Sequence, residues 1–273
     1  MAGQLAGHEF PSHCRQWRQY RKLSQLELAL EANVSQRHIS WLETGRSKPS
    51  REMVIRLSEA LDIPLRERNN LLRAAGFAAV YSERSLQEPD MAPVLDALNR
   101  VLEHHNPLPA VVIDRFWNVV MMNTAGELLF SLAEPSERFI ADMGEQARHN
   151  LAALTLHPDG FRPFISNWHQ AAPTFVRRLR REANENGDAE YGKLLAKLLE
   201  LAGPIEAVEL PDEQLLPVLP LELERDDLKL SLFSVISTFG TAQDITADEL
   251  RVEAFYPGDS ATSDFFRSMQ TAH

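Results

Sequence analysis

The stretch from Ser24 to Ser50, SQLELALEANVSQRHISWLETGRSKPS, constrains this chain more than any other. Ser24 is a good N-cap, and Glu27 stands three residues on, the spacing of a capping box. Leu26, Leu28, Ala29 and Ala32 then follow at helical spacing. Ala29 is small where a partner helix must come close. Asn33 stands where the chain must turn with a positive φ; glycine is usual there, but asparagine tolerates it. Ser35 caps a second helix, with Val34, Ile39 and Leu42 on its inner face and Gln36, Arg37, Ser40 and Trp41 on its outer face. Gly45 ends that helix, and Arg46, Ser47 and Lys48 follow. The reading is two short helices joined by a tight turn, then a basic loop.

That layout places the second helix, residues 35–44, to enter a DNA major groove. Gln and Arg side chains pair bidentately with adenine and guanine edges. Candidate DNA contacts along the helix are therefore Ser35, Gln36, Arg37, Ser40, Trp41 and Thr44, with Arg46 and Lys48 as phosphate contacts in the loop. A net charge of −11 looks wrong for such a role. Its distribution resolves the conflict: residues 1–80 hold 12 Lys and Arg against 8 Asp and Glu, whereas residues 81–273 hold 16 against 31. A basic module on an acidic body fits a chain of which one part touches nucleic acid.

Length allows two domains. The single cysteine, Cys14, excludes an internal disulfide and fits a reducing cytoplasm. Zinc-type Cys/His spacing is missing from the sequence, and so is an apolar run of membrane-spanning length. No signal peptide is expected. A first helix is predicted from Glu9 to about Lys22, a fourth from Ser50 or Arg51, and a fifth after Pro64, ending at Gly76. Residues 1–80 are thus read as an all-helical, five-helix domain and 81–93 as a linker.

Residues 94–273 are read as an α+β domain. A helix spans Asp90 to Glu103. PAVVIDRFWNVVMMN is a hairpin turning at Asp114 to Trp117, and TAGELLFSL a short helix capped by Thr124. Residues 137–155 and 161–202 read as helical, with a break from His157 to Gly160. LPLELE, LKLSLFSVISTFG and ELRVEAFYP read as strands, the last two joined through a turn at Asp244, and a helix closes the chain near Asp264 to Thr271. The order strands, helices, strands predicts an antiparallel sheet with helices on one side.

Residues 9–77 resemble the XRE, or phage-repressor-like, helix-turn-helix family, whose fold is lambda-repressor-like. The resemblance implies a phosphate contact at Gln25 and base-facing positions at Gln36, Arg37 and Trp41. Trp41 is bulky for a base contact, and packing on the sugar–phosphate edge is the other reading. The resemblance also implies that Arg18, counted among the DNA-binding positions, pairs with Glu43. Asn33 departs from the family's usual glycine. The strings RHISWLETGRSKPSREMVIRLSEALDIPLRERNNLLRAAGF, PAVVIDRFWNVVMMNTAGELLF, HPDG and TFGTAQDITADELRVEAFYPGDSAT are similar to the MmyB-like transcription regulators. In those proteins an XRE domain precedes a PAS-like domain assigned to ligand binding. The resemblance implies a five-stranded antiparallel sheet with a cavity on one face, and makes 137–202 a helical insertion roofing it.

Apolar candidates for the cavity wall run from Val112 to Phe255, among them Trp117, Met121, Phe164, Trp168 and Phe233. The polar candidates are Asn123, His157, Asn167, His169, Arg177 and Arg178. Apolar walls with one arginine holding a carboxylate suit a fatty acid or acyl derivative, and the family resemblance points the same way. The run RRLRRE at 177–182 also suits a solvated helix face or a patch docking on DNA or a partner subunit. Catalysis is not expected: Asp226 and Asp227 are adjacent and point apart in a strand turn, and no nucleophile elbow or phosphate loop is present. The expectation is a cytoplasmic, homodimeric, ligand-responsive DNA-binding regulator with no certain cofactor. Two alternatives stand beside it. In one, the second domain serves only dimerisation or protein interaction. In the other it is a sensor holding flavin, or haem on a histidine such as His157 or His169.

Overall fold

The computed structural model describes residues 10–186, 188–205 and 218–270. Glu9 and Thr271, the expected ends of the first and last helices, lie outside the described residues. The chain divides into two compact units, Met1–Ser85 with Thr241–Asp248, and Leu86–Gly240 with Glu249–His273.

The first unit holds α1 (Phe10–Tyr20), α2 (Gln25–Glu31), α3 (Gln36–Glu43), α4 (Arg51–Ala60) and α5 (Leu65–Ala74). Local sequence rules build most of it. Ser24 Oγ accepts from the Glu27 amide at 3.1 Å and the Glu27 carboxylate accepts from the Ser24 amide at 2.6 Å, a complete capping box. Asn33 turns the chain with φ of 51°. Ser35 and Ser50 cap α3 and α4 by accepting from His38 and Met53 amides. Each such cap contributes about 1 kcal/mol. The core joins Cys14 of α1, Leu28 of α2, Ile39 and Leu42 of α3, Leu57 of α4 and Leu72 of α5. Burial, then the nearby Glu43 charge, pushes the Cys14 thiol up to about 12, so it serves as a small apolar side chain and not as a reactive one. Within this same unit Asp244 is not a simple turn. It accepts from the Thr246 amide at 2.9 Å, pairs with Arg84 at 3.1 Å, and opens α12 (Ile245–Glu249).

In the second unit an antiparallel sheet of five strands has the order β2-β1-β5-β4-β3. The strands are β1 (Ala110–Ile113), β2 (Val119–Met122), β3 (Leu221–Arg225), β4 (Leu228–Thr238) and β5 (Arg251–Pro257). Helices lie on both faces of the sheet, which corrects the expectation of helices on one side. On one face Ala110, Val112 and Val252 pack on Leu98 and Leu102 of α6 (Ala92–His105). On the other, Val111, Ile113, Leu232 and Phe255 pack on α9 (Leu151–Leu156), α10 (Trp168–Asn186) and α11 (Ala189–Ala202). Every residue of β1 is buried, as a strand covered on both faces requires.

Two local expectations also change. The cap of α7 (Thr124–Ser131) is Asn123, not Thr124; its Oδ1 accepts from Gly126 N at 2.9 Å. Residues 137–155 are not one helix. After α8 (Glu137–Met143), Gly144 takes φ of 87°, a short 3-10 turn follows, and Asn150 caps α9 afresh. Such a cap satisfies the new helix end with one side chain, so the chain changes direction without orphaning an amide. A final helix, α13 (Ser260–Gln270), packs on β4 and β5.

Candidate functional site

Two places carry chemistry: the outer face of α3 and a cavity in the second unit. On α3, Gln36 and Arg37 are exposed, and Arg46 and Lys48 stand exposed just beyond its end. The Arg37 guanidinium lies over the Trp41 ring at 4.3 Å, a cation–π contact that stands it against its own helix. Ser40 is half-buried. The Ser35 hydroxyl is engaged as the cap, and Thr44 closes the helix by donating to Ser40 O at 2.7 Å. Arg18 and Gln25 are placed differently. Arg18 donates to Glu43 at 2.6 and 2.9 Å and to Leu23 O at 2.7 Å, and Gln25 donates to Glu43 at 2.9 Å. These side chains hold α1 and α2 to the end of α3. These donors are turned to the protein and brace the angle of α3.

The cavity has a volume of about 510 Å³. Trp168, Ala172 and Phe175 of α10, Leu151 of α9, and Leu232 and Phe255 of the sheet form its apolar wall. Five of the ten residues expected at a ligand line it: Trp117, Trp168, Arg177, Arg178 and Phe233. The other five are placed elsewhere. Met121 packs on the opposite sheet face with Val112 and Leu250. Asn123 ties the α7 cap to the β1 edge, accepting from Ala110 N at 3.0 Å and donating to Leu108 O at 2.8 Å. His157 is fully buried, 3.2 Å from Asp142, and accepts from Asp159 N at 3.0 Å. Phe164 sits beneath the Arg225 guanidinium at 5.0 Å. Asn167 pins the start of β3, donating to Pro220 O at 2.8 Å and accepting from Glu222 N at 3.1 Å. Each of these polar side chains is committed to the backbone it organises.

Trp117, Arg178 and Glu253 of the cavity lining belong to a buried polar cluster that sequence reading missed. Trp117 is fully buried, with φ of 69°, a left-handed conformation uncommon for a bulky residue. Asp114 holds that turn by accepting from the amides of Phe116 at 2.8 Å and Asn118 at 2.9 Å. The indole nitrogen donates to Glu182 at 2.9 Å and to Tyr191 at 3.1 Å. Glu182 also meets Arg178 at 3.1 Å and Arg251 at 2.8 Å. Burial by itself raises the Glu182 carboxyl, but Arg251, Arg178 and the indole donor outweigh it and hold the group below the ordinary carboxylate value. Burial and the Glu182 charge push the Tyr191 phenol well above its usual range. Glu253 completes the cluster, 3.6 Å from Arg178. The signal for it was present in the alternation of β5, where Arg251 and Glu253 share a face with the buried Phe255.

No curated protein matches the chain. A solved structure, that of an RNA-binding Light-Oxygen-Voltage receptor, is similar over 98% of this chain and 64% of that one, at 13% identity and a TM-score of 0.28. The chain thus spans under two thirds of that structure's length. Residues 15–68 match the helix-turn-helix family model. Residues 94–269, more than half of the chain, match the MmyB-like transcription regulator ligand binding domain. Both are regulator domains, and no helix among the described residues is long and apolar enough to cross a membrane. With a helix-turn-helix in one unit and a cavity in the other, this chain belongs to the MmyB-like transcription regulators.

Proposed function

We propose that the chain is a cytoplasmic regulator that binds operator DNA as a homodimer and responds to an apolar small acid, a fatty acid or acyl derivative. The domain assignment that goes with this reading is 1–80 for DNA binding, 81–93 for the linker, and 94–273 for ligand binding and dimerisation. The cavity carries the reading. Its volume of about 510 Å³ is in the range of small-molecule sites, and its walls are largely aromatic and aliphatic. Arg177 lines it and is exposed, which suits a guanidinium holding a carboxylate at the mouth. A domain serving dimerisation alone has no use for such a space. Among the described residues neither His157 nor His169 lines the cavity, so neither is placed to ligate a haem there.

Native and denaturing mass spectrometry of the freshly purified full-length protein tests the ligand. The expected result is a bound species of fatty-acid-like mass that is lost on denaturation. A protein that purifies empty and stays empty with added dodecanoic acid overturns the ligand reading.

On DNA, α3 is the proposed reader of the major groove, with Gln36 and Arg37 on base edges and Arg46 and Lys48 on phosphates. Two protomers would read half-sites about one helical turn apart. A ligand favouring one dimer arrangement by a few kcal/mol would switch occupancy. Arg37→Ala is expected to cost about 1–3 kcal/mol of operator affinity and to relax one base position. Lys48→Ala should weaken all sequences alike and reduce the salt slope by roughly 1. Binding titrations over a set of operator variants and salt concentrations separate the two; Arg37→Ala behaving like Lys48→Ala would remove the base-reading role.

A further inference from the structure

Glu253 is 5% exposed and lines the cavity, and its Oε2 atom is buried with no hydrogen-bond partner among the described residues. Its Oε1 atom stands 3.6 Å from Arg178, an ion pair too long to be a hydrogen bond. Leaving a buried carboxylate oxygen without a donor is unfavourable, so the site calls for a water, an ion or a ligand group to supply one. The charges around it say what that is. Arg178 and Arg251 face Glu182 and Glu253, so the buried end is formally balanced. No positive charge is left over there for a ligand's carboxylate, which would in addition meet Glu253 head-on. A second carboxylate is therefore excluded from this end by repulsion, and an ammonium would add an uncompensated positive charge to a balanced, buried cluster. A neutral donor satisfies both conditions.

We infer that the buried end of the cavity receives a hydroxyl or amide N–H of the ligand, with Glu253 as its acceptor. The ligand is then a hydroxylated or amide-bearing acyl acid, not a plain fatty acid, its carboxylate held at the Arg177 end. This inference rests on the reading of the cavity as an acyl-ligand site and makes Glu253 its specificity-determining residue. A site built to bond a hydroxyl rejects the analogue lacking it, because its own polar group is then left buried and unpaired.

The test is calorimetric titration of the full-length protein with dodecanoic acid, with its 2-, 3- and 12-hydroxy derivatives, and with N-dodecanoylglycine. In the wild type, the best donor-bearing member should bind roughly tenfold or more tighter than dodecanoic acid. In Glu253→Met, which has no acceptor, that preference should shrink to within about threefold, and Glu253→Gln should keep part of it. Equal binding of dodecanoic acid and every donor-bearing member by the wild type overturns the role of Glu253 and leaves the acyl site standing. Because that comparison uses the wild type alone, it stands even if a variant fails to fold. Binding of no member overturns the acyl site itself and this inference with it.

Discussion

Glu182→Ala is expected to destabilise the second domain by about 3–5 kcal/mol, the penalty for breaking a buried ion pair by removing one partner. One carboxylate serves four groups: Arg251 at 2.8 Å, Arg178 at 3.1 Å, the Trp117 indole at 2.9 Å and the Tyr191 hydroxyl at 3.2 Å. Its removal leaves the Tyr191 hydroxyl without its acceptor, the Trp117 indole with Tyr191 alone, and two mostly buried guanidinium groups without their shortest ion pairs. Against the 5–15 kcal/mol typical of whole domains that loss is large, and it reaches the ligand site, since Trp117 and Arg178 line the cavity. Thermal and urea unfolding followed by near-ultraviolet circular dichroism measures it. Glu182→Gln should lose less, because the amide oxygen still accepts. The pH dependence carries its own sign. Because the folded value of Glu182 is depressed, its charge stabilises the fold fully above the ordinary value of 4.5 and ceases to do so as pH falls through the lower folded value. The wild type should lose stability over that acid window, and Glu182→Gln should lack this component. A Glu182→Ala loss below about 1 kcal/mol, the size of a surface pair, would show that the cluster does not hold the domain.

Glu43→Ala is expected to be nearly as costly in the DNA-binding unit, again about 3–5 kcal/mol. The Glu43 side chain is 2% exposed and takes two hydrogen bonds from Arg18 and one from Gln25. The substitution cuts the tie from α1 and α2 to the end of α3, so operator affinity should fall for every sequence alike. That pattern separates it from Arg37→Ala, which should change the preference at one base. It also separates it from Lys48→Ala, because no phosphate contact is lost and the salt slope should stay as it was. Unfolding curves and operator titrations check both halves. A Glu43→Ala protein that melts and binds like the wild type would mean that Arg18 and Gln25 are free to contact DNA after all.

How far each feature could be read in advance follows from the distance over which it is decided. The capping box at Ser24, the positive φ at Asn33 and the Ser35 cap each depend on residues within about one turn, and each is where local rules place it. The hairpin around Asp114 is local in the same sense, although the left-handed Trp117 at its end was not foreseen. The Asn123 cap was missed by one residue because Thr124 is also a good capping residue, and only the bond from Asn123 to Ala110 on the strand decides between them. The break at Gly144 was lost inside a segment of strong helical composition. The run at 177–182 showed its charges but not their directions: Arg178 and Glu182, four apart, turn inward to Trp117, while Arg177, Arg180 and Arg181 stay exposed.

The sequence by itself determined the helix-turn-helix, the strands, the class of the second domain and the apolar character of what that domain can enclose. Those depend on caps, turns and periodicity, which act between near neighbours in the chain. Only the tertiary structure decided that helices lie on both faces of the sheet, which five of the ten expected residues reach the cavity, and that Glu182 and Glu253 meet Arg178 and Arg251. A buried charge is unfavourable unless partners surround it, and here those partners come from the hairpin, α10, α11 and β5. Their meeting is fixed by the packing of the sheet against the helices, and no local pattern contains it.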